Sequence, residues 1–278
     1  MLLDALEALG PHRGALIVAG AQAIYLQTGA NRLPISEYTT DGDLTLDPTE
    51  LPDAPRLSSL MEAAGFRLAQ RSGASEPGTW TKQELIEGVV ADVPVDLIVP
   101  TGVAPPAGRR GARLGSHGSQ AARKAVGLEG ALLDNRRMQI GSLDDEDPRS
   151  FEVRVAGLAA LFVSKLHKLA DRAEGEGAKR LFNKDASDVV QIMRSVLPRE
   201  LAETLAVLKA DPVAGPPTEQ AMAYLQSLFG GRASLGISMA ADALRRAVPE
   251  ERIRAICLAY VSELERSLGR DRRAVADD

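Results

Sequence analysis

The chain has 278 residues, 33 Lys plus Arg against 38 Asp plus Glu for a formal net charge of −5, and 45% hydrophobic residues. That composition excludes a disordered chain, and the length suits about two domains at roughly 150 residues each. The single Cys257 excludes an intramolecular disulfide framework and a cysteine-based zinc cluster, and the only histidines, His12, His117 and His167, argue against a His-rich metal site. The longest apolar run, from Ala15 to Leu26, is interrupted by Gly20 and Gln22 and falls short of the roughly 20 residues of a membrane helix. Acidic residues stand in Met1 to Glu7 where a signal peptide carries basic ones. A soluble, cytoplasmic protein with no membrane partner is therefore expected.

In chain order, short apolar or β-branched runs alternate with helical pieces up to about Val155, which predicts a mixed α/β (α+β) N-terminal domain over 1–155. Strands are predicted at Ala15 to Val18, Asp43 to Leu46, Phe66 to Ala69, Val93 to Val99, Met138 to Ile140 and Phe151 to Val155. Helices are predicted at Gln22 to Gln27 and Leu57 to Ala64. The Gly-, Pro- and Ser-rich stretch from Thr101 to Gln120 reads as a mobile basic loop, with Arg109, Arg110 and Arg113 leading into Arg123 and Lys124. Residues 156–278 read as an all-helical domain. Its first helix sets an apolar stripe of Leu158, Phe162, Leu166 and Leu169 against a basic one of Lys165, Lys168 and Arg172. Further helices are predicted at Ala186 to Val196, Arg199 to Leu208, Thr218 to Phe229, Met239 to Ala247 and Glu250 to Leu268, divided by Pro198, Pro212, Pro216-Pro217, Gly230-Gly231 and Pro249. The polar tail from Asp271 is expected to fray.

The informative carboxylates are those of Asp41-Gly42-Asp43, at the edge of an apolar strand, and Asp96 inside another. Residues i and i+2 of a strand share a face, so Asp41 and Asp43 would stand side by side and repel unless a cation lies between them. If the strand of Asp96 pairs beside the first, three acids converge, a donor set suited to Mg²⁺ or Mn²⁺. D-x-D alone is more often a turn or capping device. The preceding run, Ile17-Val18-Ala19-Gly20-Ala21-Gln22, leads a strand through glycine into a helix whose first N–H groups and positive dipole end suit a triphosphate.

Strand, glycine turn, helix, D-x-D strand and third acid follow the order of the DNA polymerase β-like nucleotidyltransferases. With Leu161 to Leu169 around Lys165, and Lys184-Asp185-Ala186-Ser187-Asp188 after it, the chain resembles the AbiEii/AbiGii-type nucleotidyltransferase toxins of bacterial toxin–antitoxin pairs over roughly Ala15 to Met193. The resemblance implies a polymerase β-like domain with a mixed sheet, followed by helices that contribute Lys165 and Asp185 to the site. It implies metal binding by Asp41, Asp43 and Asp96, catalysis by Asp41, Asp43, Lys165 and Asp185, and nucleotide contacts from Gly20, Ala21, Thr39, Thr40 and Lys165. Lys165 would neutralise triphosphate charge and Asp185 would orient it or a substrate hydroxyl; a solvated lysine and a helix cap are the ordinary alternatives. Asp188 reads as structural, and Lys168 and Arg172 as residues for phosphate or RNA or as plain solvated charge.

The chain departs from the pattern in having Gly20-Ala21 where many such enzymes have Gly-Ser, and Glu37 where related toxins often have an arginine, with Arg32 nearby in sequence. The implied activity is transfer of a nucleoside monophosphate from a nucleoside triphosphate, CTP favoured, to tRNA 3′ ends, which would stop translation. The implied partners are the nucleotide, tRNA and a cognate antitoxin. Phosphorylation of Thr39 or Thr40 would set about −1.5 to −2 charge beside the metal-binding acids and silence the enzyme. Two alternatives stand beside this reading: the same chemistry on a small-molecule or protein acceptor, and a catalytically inactive scaffold that binds an antitoxin.

Overall fold

A computed structural model of the protein describes residues 1–29, 42–86, 88–104, 110–142, 144–174 and 183–276. In chain order the elements are α1 (Leu2–Ala8), β1 (Leu16–Ala19), α2 (Gly20–Thr28), β2 (Gly42–Leu46), α3 (Leu57–Ala63), β3 (Arg67–Arg71), β4 (Ala74–Ile86), β5 (Val89–Pro100), β6 (Arg123–Ala125), β7 (Asn135–Gly141) and β8 (Ser150–Ala156). The helices α4 (Leu158–Glu174), α5 (Asn183–Ser195), α6 (Pro198–Ala210), α7 (Gly215–Phe229), α8 (Leu235–Leu244) and α9 (Glu250–Ala276) follow. The fold is mixed α/β around an open mixed sheet. Among the described residues, no helix is long and apolar enough to cross a membrane.

The chain divides into two compact units. The first comprises Met1–Gln22, Tyr38–Ala125 and Asn135–Ala156; the second comprises Ala23–Glu37, Val126–Asp134 and Gly157–Asp278. The division near Val155 is thus accompanied by two earlier segments that belong with the C-terminal helices.

In the first unit the sheet order is β3-β4-β5-β2-β1-β8-β7, with β6 pairing on β5. The centre explains the order. Leu44, Leu46, Leu97, Val18 and Val155 are buried, and β2 pairs antiparallel with β1 and parallel with β5. Alternation sends Gly42, Leu44, Val95 and Leu97 to one face, where Leu2 of α1 comes within 3.8 Å of the position a Cβ on Gly42 would take. Asp43, Thr45 and Asp96 take the other face.

Strand β4 falls where no element is predicted from the sequence. It runs through Pro77-Gly78 with a register shift against β3. Gly78 has φ +76°, and a Cβ there would lie 2.3 Å from the Arg123 amide nitrogen and 2.6 Å from the Leu97 carbonyl oxygen. Glycine is what lets β4 pass so close to its neighbours. Two residues on, the fully buried Trp80 donates from Nε1 to the Ala121 carbonyl at 2.9 Å.

Other expectations are corrected by packing. The Thr101 to Gln120 stretch, read as mobile, is pinned in its described part: Ala112 and Leu114 are buried, and His117 accepts the Leu57 amide at Nδ1, 3.1 Å away, and reaches the Pro52 carbonyl through Nε2 at 2.8 Å. Arg109 lies outside the described residues. The tail from Asp271 continues α9 as far as Ala276. In the second unit α5 packs on α8, α6 on α9, and α4 on α5 and α7.

Gly78→Val is expected to destabilise the protein by about 3 kcal/mol or more, since the added side chain meets backbone rather than flexible atoms and sits at positive φ. Chemical denaturation of the two proteins side by side checks this.

Candidate active site

Two groups of charged residues stand out, one in each unit. In the first unit, Asp43 on β2 is the register partner of Asp96 on β5 and, on its other side, of Ala19 on β1. Neighbouring strands lie about 4.8 Å apart, so the two carboxylates project from adjacent positions of the same face. Parallel pairing of the two apolar strands brings together acids 53 positions apart in the chain.

Gly20 explains where the Asp43 side chain goes. It opens α2 directly after β1, with φ +66°, and a Cβ there would lie 1.9 Å from Asp43 Oδ2. Only a residue without a side chain leaves space for that carboxylate at the strand-to-helix turn. Gly20 and Ala21 are buried. Asp96 is 23% exposed, and its Oδ2 accepts a hydrogen bond from Arg123 at 2.7 Å. Its Oδ1 is buried and has no hydrogen-bond partner among the described residues. Asp41, Thr39, Thr40, Glu37 and Arg32 lie outside the described residues. Among the described residues, no three His, Cys, Asp or Glu side chains are close enough to hold a metal ion.

In the second unit, Lys165 on α4 is buried, 3% exposed, where the helical stripe alone placed it on a basic outer side. The reason is non-local. Its Nζ donates to Asp185 Oδ1 at 2.8 Å and lies 2.7 Å from Asp188 Oδ2, both carboxylates supplied by α5. Arg172 also binds Asp185, and Lys168 Nζ lies 3.7 Å from Asp185 Oδ1. Asp188, read from the sequence as structural, is thus a direct partner of Lys165. The outward charges of α4 here are Lys168 and Arg172, 43% and 28% exposed.

Burial works to lower the Lys165 pKa, but the carboxylates of Asp188 and Asp185 outweigh it and hold the ammonium above the ordinary lysine value. Burial likewise works to raise Asp185, and the charges of Lys165 and Lys168 overcome it, keeping the carboxyl below the usual aspartate range. The start of α4 is fixed independently. Asp134 Oδ2 accepts the Ala160 amide at 2.9 Å, and burial pushes the Asp134 pKa up.

The histidines are committed to structure: His12 Nε2 bonds the Pro55 carbonyl at 2.7 Å, His167 Nε2 the Pro217 carbonyl at 2.8 Å, and His117 bonds as described above. Sequence reasoning passed over Arg123 as an Asp96 partner. It was visible only as part of a basic run, and the short strand that places it beside β5 carries no hydrophobic pattern.

No protein-family profile matches the chain, and no curated protein matches it.

Lys165→Ala should cost about 3–5 kcal/mol, because it takes the fully buried Asp188 carboxylate away from the ammonium 2.7 Å from it and leaves Asp185 to Arg172 and Lys168 alone. The intact cluster should contribute fully between about pH 4 and pH 10. Its contribution falls away in acid as pH drops through the lowered Asp185 value, and in alkali as pH rises through the raised Lys165 value. Urea melts of both proteins from about pH 2 to pH 11 would test both statements, the difference between them holding steady in the middle of the range and narrowing toward its ends.

Proposed function

We propose that the protein is a divalent-metal-dependent nucleotidyltransferase of polymerase β-like fold, transferring a nucleoside monophosphate from a nucleoside triphosphate to an RNA 3′ hydroxyl, with tRNA the favoured acceptor. The observation that carries this reading is the pair Asp43 and Asp96, adjacent on one sheet face, with Asp43 packed against the glycine that opens a helix. The order β1, Gly20 turn, α2, β2 with Asp43 and β5 with Asp96 supports the finer fold assignment.

The donor set fits a hard dication. Two carboxylates on neighbouring strands repel each other, Arg123 offsets one of them, and the buried Asp96 Oδ1, without a hydrogen-bond partner among the described residues, calls for a further positive partner. Asp43 and Asp96, with Asp41, would hold Mg²⁺ or Mn²⁺, which supplies Lewis-acid stabilisation of charge on the transferring phosphate.

The protein's own groups do the remaining work. Amides at the start of α2 face negative charge at the positive end of the helix dipole. The hydroxyl of the acceptor attacks the α-phosphate in line, a P–O bond to the acceptor forms as the bond to pyrophosphate breaks, and pyrophosphate leaves. Asp43 or Asp41 takes the hydroxyl proton. In the second unit, Lys165 acts as a positioning residue: it fixes Asp185, which in turn holds Arg172 and Lys168, cations of α4 suited to an RNA phosphate. Thr39 and Thr40 keep their proposed role as phosphorylation sites, and a cognate antitoxin its place as partner.

Incubating the purified protein with total tRNA, Mg²⁺ and each of the four labelled nucleoside triphosphates tests the reading. Label should enter tRNA, with CTP preferred, and Asp43→Asn should reduce incorporation roughly a hundred- to a thousand-fold, the effect of losing a few kcal/mol of transition-state stabilisation. Equal incorporation by Asp43→Asn, or none by the folded intact protein with any nucleotide, overturns it.

A further inference from the structure

The sheet face that carries Asp43 and Asp96 continues across β1 onto β8 and β7. Ile17, two residues before Ala19 on β1, is the register partner of Arg154, and Arg154 is the partner of Arg137. Register partners share a face, so both arginines lie on the carboxylate side. Arg154 is two strands and two residues removed from Asp43, about 12 Å by ordinary strand spacing and rise.

Arg13, just before β1, borders the same cleft; its guanidinium carbon lies 4.7 Å from the centroid of Phe151, a residue whose side chain alternates to the sheet's other face. With Gly14, Glu152 and Val153, the three arginines line a cleft of about 160 Å³. The cleft opens to solvent and has room for a phosphate group.

Placing Arg137 directly opposite Arg154 is unfavourable unless negative charge lies between them. Glu152 takes part of Arg137, at 2.9 Å, and Asp47 lies 3.8 Å from Arg154, which also donates to the Gly14 carbonyl at 2.5 Å. Three cations against these two acids leave one positive charge over. The Nε donors of Arg13 and Arg154 are both buried without a hydrogen-bond partner among the described residues. Guanidinium forks match the oxygens of a phosphate in number and geometry.

We propose that this cleft binds a backbone phosphate of the RNA whose 3′ end is presented to Asp43 and Asp96. The proposal rests on the nucleotidyltransferase reading for the identity of the ligand, and on the arginine geometry for the site. The cleft sets the register of the acceptor strand on the carboxylate face, and because every nucleotide carries the same phosphate the contact is independent of base identity.

Nucleotide-free binding of labelled total tRNA to the full chain, followed by anisotropy between 50 and 200 mM salt, tests this for the intact protein and for Arg13→Gln/Arg137→Gln. Arg137 is 74% exposed and tolerates replacement without loss of fold, which circular dichroism would verify. The double variant should bind about tenfold more weakly at 100 mM salt. Its plot of log affinity against log salt should be shallower by about 0.7–0.9, the value of one phosphate contact.

Unchanged affinity and slope, or no binding of tRNA by the intact protein, overturns the proposal. A thermal shift with inorganic phosphate that is lost in the variant while tRNA binding stays unchanged would make the cleft a free-anion site and overturn it equally. Arginine-dependent binding together with no nucleotide transfer would instead defeat the catalytic reading and leave the cleft standing.

Discussion

The parallel pairing of β2 with β5 is the constraint on which the first unit depends. It fixes which residues of each strand are inward and which are outward, and the same register that buries Leu44 against Leu97 sets Asp43 beside Asp96. Core and candidate chemistry are therefore one decision. The sheet is held by its apolar face, so the repulsion between two acids on the opposite face is sustained by burial elsewhere rather than relieved by separating the strands. Gly20 serves the same arrangement from the side, leaving room for the Asp43 carboxylate where β1 becomes a helix.

The second unit handles charge differently. Lys165 and the carboxylates of Asp185 and Asp188 are all removed from water, an arrangement that is stable only because each ion has an opposite partner within 2.8 Å. Such a cluster joins two helices with a directional contact where apolar packing alone would allow them to slide. Arg172 and Lys168 extend it toward the surface, so a buried, rigid centre carries outward-facing cations whose positions it fixes.

Much of this was legible in the sequence. The Asp43 strand, the Gly20 turn, the Asp96 strand and the helices after Gly157 all lie where periodicity and punctuation placed them, give or take a few residues. Alternation and apolar runs are local signals and survive being read from one strand at a time. What escaped was set by partners distant in the chain. β4 falls where nothing is predicted at all, and at Gly78 only the neighbouring backbones of Arg123 and Leu97 account for a strand squeezed between them. Lys165 looks like a solvated lysine until α5 supplies two acids from some twenty residues on. The pairing of Arg154 with Arg137 depends on register, and no helical or strand period announces it. Asp41 and the two threonines before it lie outside the described residues, so the first acid of the motif stands on sequence alone.

The outer halves of β4 and β5 have a consequence for how this protein can vary. From Lys82 paired with Val93 to Ile86 paired with Val89, the two strands pair with each other beyond the reach of β3 and β2. Leu85, Val89 and Val90 stand exposed on that ribbon. Because side chains alternate with a period of two, adding or removing a pair of residues from each strand here lengthens or shortens the ribbon and leaves Asp96 facing Asp43. An odd change confined to β5 would instead have to be absorbed as a bulge before Pro94, or it would turn Asp96 into the apolar core. Length drift among descendants of this sequence should therefore proceed in even steps in the hairpin, while the strands at its base keep their count.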